Sequence, residues 1–345
     1  MISTTSLISH LRFAFTPLAA LYGLGVRIRN RHYDRNPRLI HRADLPVFSI
    51  GNITAGGTGK TPIVMETVRL LLALKRKPAI LTRGYGAAAG ETADEVREFA
   101  DQFPEVPVVV NPDRAAGAET AQTEFDADCV VLDDGFQHRR LARDLEVVAI
   151  DALDPWGDGH LLPAGRLREP LKGLARADLF IITRTNQVEH SILTEIERRL
   201  EQHNHRAQCI YADVEAQSLC LHPDQPMDVE EMAYHDVLPV CGIGNPRTFL
   251  SSVAPLAGRL CEPMLFPDHC RYTSRHVKKI IDLARRFGAD WVVTTRKDWV
   301  KLAPLWPPAD ANAGINLVRL DVRSVLRDHD GVFEQVLRQV LERYA

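Results

Sequence analysis

The sequence has no C-x-x-C pair among its six cysteines (Cys129, Cys209, Cys220, Cys241, Cys261, Cys270), no internal repeat, no low-complexity tract and almost no net charge. The scattered cysteines exclude the usual zinc and dithiol spacings. A disulfide framework is not expected at 345 residues, so a reducing cytosol is the default compartment. A formal charge of −3 gives no support to a nucleic-acid partner. Apolar residues at 45% and charged residues at 25% exclude disordered and fibrous classes, and the length suffices for one large or two medium domains with proper cores.

The N-terminal end lacks a spanning hydrophobic run. Its longest charge-free stretch, Phe13 to Val26, is 14 residues, whereas a bilayer-spanning helix needs about 20. Leu7, Leu11, Phe15, Leu18, Tyr22 and Val26 recur at spacings of three and four, which is one face of a helix. Pro17 predicts a kink or break near Thr16. Residues 1–42 carry seven arginines and one acid, Asp34, a net +6 that leaves −9 for the remainder. Arginines crowding the far end of the apolar stretch argue against a signal peptide. A basic amphipathic end points to an anionic membrane surface, with the helix in or on the interface. The alternative is a helix packed on its own domain.

From Leu45 onward, apolar runs alternate with helical patterns. Strands are expected at Pro46–Ile50, Ala79–Leu81, Val106–Val110, Cys129–Leu132, Val147–Ile150, Leu179–Ile182 and Ala207–Ala212, with helices such as Thr61–Leu74 and Ser191–His203 between them. This alternation implies an α/β fold with a mostly parallel sheet covered by helices on both faces. A polar stretch, Asp213–Asp228, reads as a crossing linker or short β-hairpin. Then β-α-β signals resume at Val237–Cys241, His276–Phe287, Trp291–Thr294 and Asn316–Leu320, with a closing helix over Glu334–Tyr344. The expected organisation is an N-terminal helical segment (1–42), a nucleotide-binding core (43–215) and a smaller C-terminal α/β domain (216–345).

The strongest chemical signal is Ser49-Ile-Gly-Asn-Ile-Thr-Ala-Gly-Gly-Thr-Gly-Lys-Thr61, between a β-run and a helical pattern. That is the context of a phosphate-binding P-loop. Gly56, Gly57 and Gly59 let backbone N–H groups turn inward around an anion, and the helix beginning near Lys60 aims its positive end at it. Thr54, Ala55, Gly56, Gly57, Thr58, Gly59, Lys60 and Thr61 form the cradle. Lys60 reaches the β- and γ-phosphates, and the Thr61 hydroxyl ligates Mg²⁺. Thr54 stands where the motif usually has its first glycine. An apolar strand ending in Asp133-Asp134 places carboxylates where Mg²⁺ or its water is held. Thr295-Arg-Lys-Asp298 falls short of a guanine-reading motif and reads as a helix N-terminus, which favours ATP.

Further segments recur in one order: Gly51–Pro62, Thr82-Arg-Gly-Tyr-Gly86, Asp133-Asp-Gly-Phe-Gln-His138, Leu162-Pro-Ala-Gly-Arg-Leu-Arg-Glu-Pro170, Cys241-Gly-Ile-Gly-Asn-Pro246 and Phe266-Pro-Asp-His269. In these the chain resembles the tetraacyldisaccharide 4'-kinase family, from the N-terminal helix to at least residue 301. The resemblance implies transfer of the γ-phosphate of ATP, with Mg²⁺, to the 4'-hydroxyl of a tetraacylated glucosamine disaccharide 1-phosphate in lipid A biosynthesis. It implies an acylated disaccharide lipid as substrate and a peripheral or monotopic place at the cytoplasmic face of the bacterial inner membrane. No obligate protein partner is evident. The family's Gly-Asp-Glu element reads Ala93-Asp94-Glu95 here, after a shortened stretch, Ala87–Ala93.

The resemblance assigns Asp94 and His269 to the base that deprotonates the sugar hydroxyl, with closure of the C-terminal domain assembling the site. Arg166, past an acidic Gly-rich loop, spreads charge over the transferring phosphoryl group or forms a structural ion pair. Arg168 reads as structural. Gln137 and His138 face the nucleotide or sugar, or stabilise their turn. Arg83 and Tyr85 line the cleft or follow from a tight turn. The competing function is a membrane-associated P-loop ATPase or GTPase switch.

Overall fold

The computed structural model describes residues 4–84, 94–268, 270–308, 312 and 314–344, with the side chains of 4–14, 94 and 95 excepted. Two compact units divide the chain: Met1–Ala212 with Leu326–Ala345, and Asp213–Val325.

The first unit opens with helix α1 (Thr4–Arg35), followed by β1 (Val47–Asn52), α2 (Lys60–Ala73), β2 (Pro78–Thr82), α3 (Asp94–Gln102), β3 (Val108–Val110), α4 (Arg114–Phe125), β4 (Cys129–Asp133), β5 (Leu145–Asp151), β6 (Leu179–Thr183), α5 (His190–His203) and the start of β7 (Gln208–Leu221). The strand order is β3-β2-β4-β1-β5-β6-β7. Every pairing in it is parallel, with Ile50 opposite Asp133 and Asn52 opposite Ala149 fixing the centre. Alternate residues feed opposite faces, as the two-residue strand period requires. Cys129 and Val131 pack with Phe48, Ile63, Val68 and Phe99 under α2 and α3, while Val130 and Leu132 pack with Ala118 and Ala121 of α4. Phe180 and Ile182 meet Leu193, Ile196 and Leu200 of α5 on that second face. A sheet buried on both sides explains why its strands read as near-continuous apolar runs.

The second unit takes the rest of β7, then β8 (Gln225–Met227), β9 (Asp236–Cys241), α6 (Pro246–Val253), β10 (Arg259–Leu260), β11 (Met264–Leu265), α7 (Ser274–Phe287), β12 (Trp291–Thr295), α8 (Arg296–Leu302) and most of β13 (Asn316–Arg327). β9 pairs parallel with β12 and β12 with β13. β8 folds back antiparallel on β7, so the polar stretch after residue 213 is a strand and hairpin rather than a linker. Helices α7 and α8 cover one face through Val277, Ile280, Trp299 and Leu302, and α6 covers the other through Phe249 and Val253.

Two expectations need correction. The C-terminal domain does not run to residue 345. The closing helix α9 (Val332–Glu342) returns to the first unit, where Phe333, Leu337 and Val340 complete the core beside Leu145 and Leu179. Nor does Pro17 end its helix: α1 runs unbroken from Thr4 to Arg35 with Pro17 inside it. The face α1 turns inward is also narrower than the apolar spacing suggested. Ala19, Gly23 and Val26 are buried, whereas Phe15, Leu18, Leu21, Tyr22, Leu24 and Ile28 are exposed. No helix among the described residues is long and apolar enough to cross a membrane.

Candidate active site

The P-loop leaves the carboxyl end of β1, the central strand of the first unit, where an open α/β sheet presents its ligand crevice. Asn52, the last residue of β1, is fully buried and shapes the loop from within. Its Nδ2 donates to the Thr54 carbonyl at 2.7 Å and to the Thr58 hydroxyl at 2.8 Å. Gly56 has φ +110°, and a Cβ there would collide with the Arg166 guanidinium. Gly59 caps α2 in the left-handed region, and no side chain caps that helix end. The first-turn amides of α2 therefore remain available to an anion, reinforced by the helix dipole. The glycines do at Gly56 and Gly59 what the usual first glycine of the motif, replaced by Thr54, would otherwise share.

The loop is held from two sides. From β6, Thr183 donates its hydroxyl to the Thr58 carbonyl at 2.9 Å. Arg184, buried at φ +61° and ion-paired with buried Asp151, donates to the Gly57 carbonyl at 2.8 Å. On the other side, residues 166–168 run antiparallel to 53–55. The Ala55 amide donates to the Arg166 carbonyl at 2.6 Å, the Arg168 amide donates to the Ile53 carbonyl at 2.8 Å, and Thr54 bridges Leu167. Arg166 lies against the loop with Nε on the Ala55 carbonyl at 3.0 Å and Nη1 on Asp154 at 2.8 Å.

β4 ends at Asp133, which is buried one strand away from the loop. Asp134 follows in the left-handed region at φ +56°. Its carboxylate receives Arg168 Nη1 at 2.8 and 2.7 Å and lies 3.4 Å from Lys60 Nζ. Burial raises the Asp134 pKa, but Lys60 and Arg168 outweigh it and hold the carboxyl below the ordinary range. The turn after it is tied down by buried charges. Arg143 donates to the Gly135 carbonyl at 2.6 Å and pairs with Glu146, which accepts from Ser49 at 2.5 Å.

Gln137 donates Nε2 to the Asn52 carbonyl at 2.8 Å and to Glu169 Oε1 at 3.1 Å, so it braces the turn. His138 is half-buried; its pKa is pushed down to about 4, by burial first and then by Arg114 and Arg143. Its ring is neutral at physiological pH, and Nε2 is buried with no hydrogen-bond partner among the described residues. A neutral imidazole can meet a hydroxyl where an imidazolium would repel a cation.

The structure thus brings together Thr54 through Thr61, Asp133, Asp134, Gln137, His138 and Arg166. Asp94 is the first residue of α3, but its side chain lies outside the described residues, as do Tyr85 and His269. Thr295 accepts from the Asp298 amide at 3.2 Å as the N-cap of α8. Asp298 is fully buried and accepts from Gly242 N–H at 2.9 Å and Tyr272 Oη at 3.0 Å, a structural role within its own unit. Sequence reasoning missed Asn52, Thr183, Arg184 and Glu169. Glu169 sits in a recognised motif, but nothing in its spacing marks it as buried.

Asp133, Asp134 and the Thr61 hydroxyl are hard oxygen donors on the first turn of α2 and at the carboxyl end of the neighbouring strand. That chemistry fits Mg²⁺, which takes one or two carboxylates and completes its shell with phosphate and water.

A family model described as tetraacyldisaccharide-1-P 4'-kinase matches residues 11–342. A tetraacyldisaccharide 4'-kinase of Halothermothrix orenii is 34% identical, covering 96% of this chain and 92% of its own. One from an Anaeromyxobacter species is 38% identical, covering 88% and 85%. A crystal structure of LpxK from Aquifex aeolicus in complex with ATP aligns with a TM-score of 0.69 and 27% identity over 96% of this chain and 99% of that one.

Proposed function

The chain belongs to the tetraacyldisaccharide-1-P 4'-kinase family, and from that membership we propose how its own residues carry the reaction. It is an ATP-dependent kinase of lipid A biosynthesis that phosphorylates the 4'-hydroxyl of a tetraacylated disaccharide 1-phosphate. The supporting observation is the braced P-loop with Lys60 and the Asp133–Asp134 pair at its mouth.

Phosphoryl transfer asks a protein mainly for positioning and for charge where charge develops. The loop amides and the α2 N-terminus hold the phosphate chain. Lys60, kept against Asp134, is presented to the β- and γ-phosphates rather than to solvent. Thr61, Asp133 and Asp134 would hold Mg²⁺, which when bound neutralises phosphate charge. Arg166 projects from the segment that braces the loop and spreads charge over the transferring group, with Asp154 fixing its guanidinium. On the acceptor side, neutral His138 faces the sugar, while Gln137 braces the turn that carries it. Asp94 orients the 4'-hydroxyl and accepts its proton, and His269 holds that carboxylate. This last assignment rests on their motifs.

The lipid acceptor explains α1. Its exposed Phe15, Leu18, Leu21 and Leu24 precede a run of arginines in which the exposed Ile28 also sits. Apolar side chains beside cations are what an anionic interface binds, so we place the enzyme peripherally on the cytoplasmic face of the inner membrane. A transfer assay tests the whole reading. With labelled γ-phosphate and tetraacyldisaccharide 1-phosphate, label moves into chloroform-extractable lipid. Release as inorganic phosphate alone would instead favour the hydrolytic switch.

A further inference from the structure

Helix α1 does more than lie on the surface of the first unit. Gly23 packs against Leu161 so closely that a Cβ there would overlap it at 2.6 Å. Two polar side chains of α1 then reach the segment that braces the P-loop. Tyr22 donates its hydroxyl to the Arg168 carbonyl at 2.7 Å, and Asn30 donates Nδ2 to Glu169 Oε2 at 3.1 Å. Arg139, from the turn after His138, returns the contact by donating to the Asn30 carbonyl at 2.9 Å and pairing with Asp34 at 2.7 Å.

Besides Arg166 and Leu167, which pair with Ala55 and Thr54, Arg168 and Glu169 carry that segment's contacts to the phosphate site. The Arg168 amide holds Ile53 and its guanidinium holds Asp134. Glu169 is fully buried, accepts from Gln137 at 3.1 Å, and is paired by Arg176 at 2.9 Å. A buried carboxylate is costly unless its oxygens are satisfied. Asn30, from α1, supplies one of those donors. Apolar packing alone would suffice for an anchor. Directional hydrogen bonds onto a carbonyl and a buried carboxylate instead fix orientation, and they fix it at Arg168 and Glu169, two and three residues after Arg166.

We propose that α1 is part of the phosphoryl-transfer machinery, with Tyr22, Asn30 and Glu169 as positioning residues that set Arg168 against Asp134 and hold the P-loop in register. The inference rests on the kinase reading but not on the membrane reading. It separates two roles within α1: Tyr22 and Asn30 orient the phosphate site, whatever the exposed Leu21, Leu24 and Ile28 bind.

The test is transfer kinetics in mixed detergent micelles, where no membrane anchor is needed. Tyr22→Phe removes a single hydroxyl, and the Asn30→Ala/Tyr22→Phe pair removes both donors. Expected is a fall in kcat of roughly 3- to 30-fold, scaled from the loss of one or two hydrogen bonds. The Mg²⁺ concentration for half-maximal rate rises, KM for the lipid stays unchanged, and so does the thermal midpoint of Tyr22→Phe. Exchanging donor and acceptor in Asn30→Asp/Glu169→Gln recovers part of the rate that each single change loses, a coupling readable in a double-mutant cycle. Unchanged kcat and Mg²⁺ dependence in the Asn30→Ala/Tyr22→Phe enzyme would overturn the proposal. So would losses explained wholly by a lowered midpoint. If the wild-type enzyme itself moved no label into lipid, the kinase reading would fall instead.

Discussion

The Thr183 hydroxyl donates to the Thr58 carbonyl at 2.9 Å, so the last residue of β6 holds the middle of the P-loop, 125 residues earlier in the chain. The bond is buried, and breaking it leaves a carbonyl without its partner. Thr183→Val is nearly the same size and deletes only the hydroxyl. It should cost about 1–3 kcal/mol of stability and raise KM for ATP severalfold with a smaller effect on kcat. Denaturant titration and ATP saturation curves measure both, and an unchanged enzyme on both counts would contradict the bracing role.

His138 gives the protein an acid-sensitive element. Its folded pKa, pushed down to about 4, lies below the ordinary 6.5. Between those values the unfolded chain binds a proton that the folded one does not. Stability is therefore undiminished above pH 6.5 and is lost as pH falls toward 4. His138→Gln should flatten part of that fall. Denaturation midpoints at pH 7.5 and pH 5 in both proteins provide the comparison; identical pH slopes would remove His138 from the account.

Leu21 and Leu24 are 66% and 52% exposed on α1, so replacing them costs the fold little. Burying each at an interface is worth about 2 kcal/mol. Leu21→Glu/Leu24→Glu should lower partitioning onto anionic vesicles by at least tenfold, most clearly at low salt where arginines add attraction. Co-sedimentation with vesicles reads this directly. Equal partitioning would mean that this face binds something else.

Asp94 and His269 are proposed to act as one base. Asp94→Ala and His269→Ala should each lower kcat by about 100-fold or more with little change in KM for ATP. The double variant should be hardly worse than the weaker single one, because a unit already broken cannot be broken twice. Fully multiplicative losses would dissolve the pair and leave Lys60, Arg166 and the metal ligands as the source of rate.

The parts of this protein legible in its sequence are those with local signals. β1 and β4–β6 announce themselves as short apolar runs because both faces of the sheet are covered. The P-loop is legible because glycines, Lys60 and Thr61 must follow one another along the chain. The return of α9 to the first unit is not legible: an amphipathic stripe shows that Phe333 and Leu337 need a partner, not which one. Nor is the network behind the site. Asn30 and Glu169 lie 139 residues apart, and Gln137 and Asn52 lie 85 apart. A buried charge in a loop has no period, and its partners are chosen by the fold. Pro17 shows the opposite case, where a local signal for a helix end is not followed and α1 continues past it.

The central claim, that Lys60 and the P-loop deliver the γ-phosphate to a lipid hydroxyl, is tested most directly with Lys60→Ala in the labelled-transfer assay. Lys60 is partner to Asp134 at 3.4 Å and sits on the first turn of a helix whose core face is intact without it. The account predicts a folded protein with a near-normal thermal midpoint whose transfer of label into tetraacyldisaccharide 1-phosphate falls by 100-fold or more, on the order of 3 kcal/mol of lost transition-state stabilisation. A folded Lys60→Ala enzyme that still labels the lipid at close to the wild-type rate would contradict it.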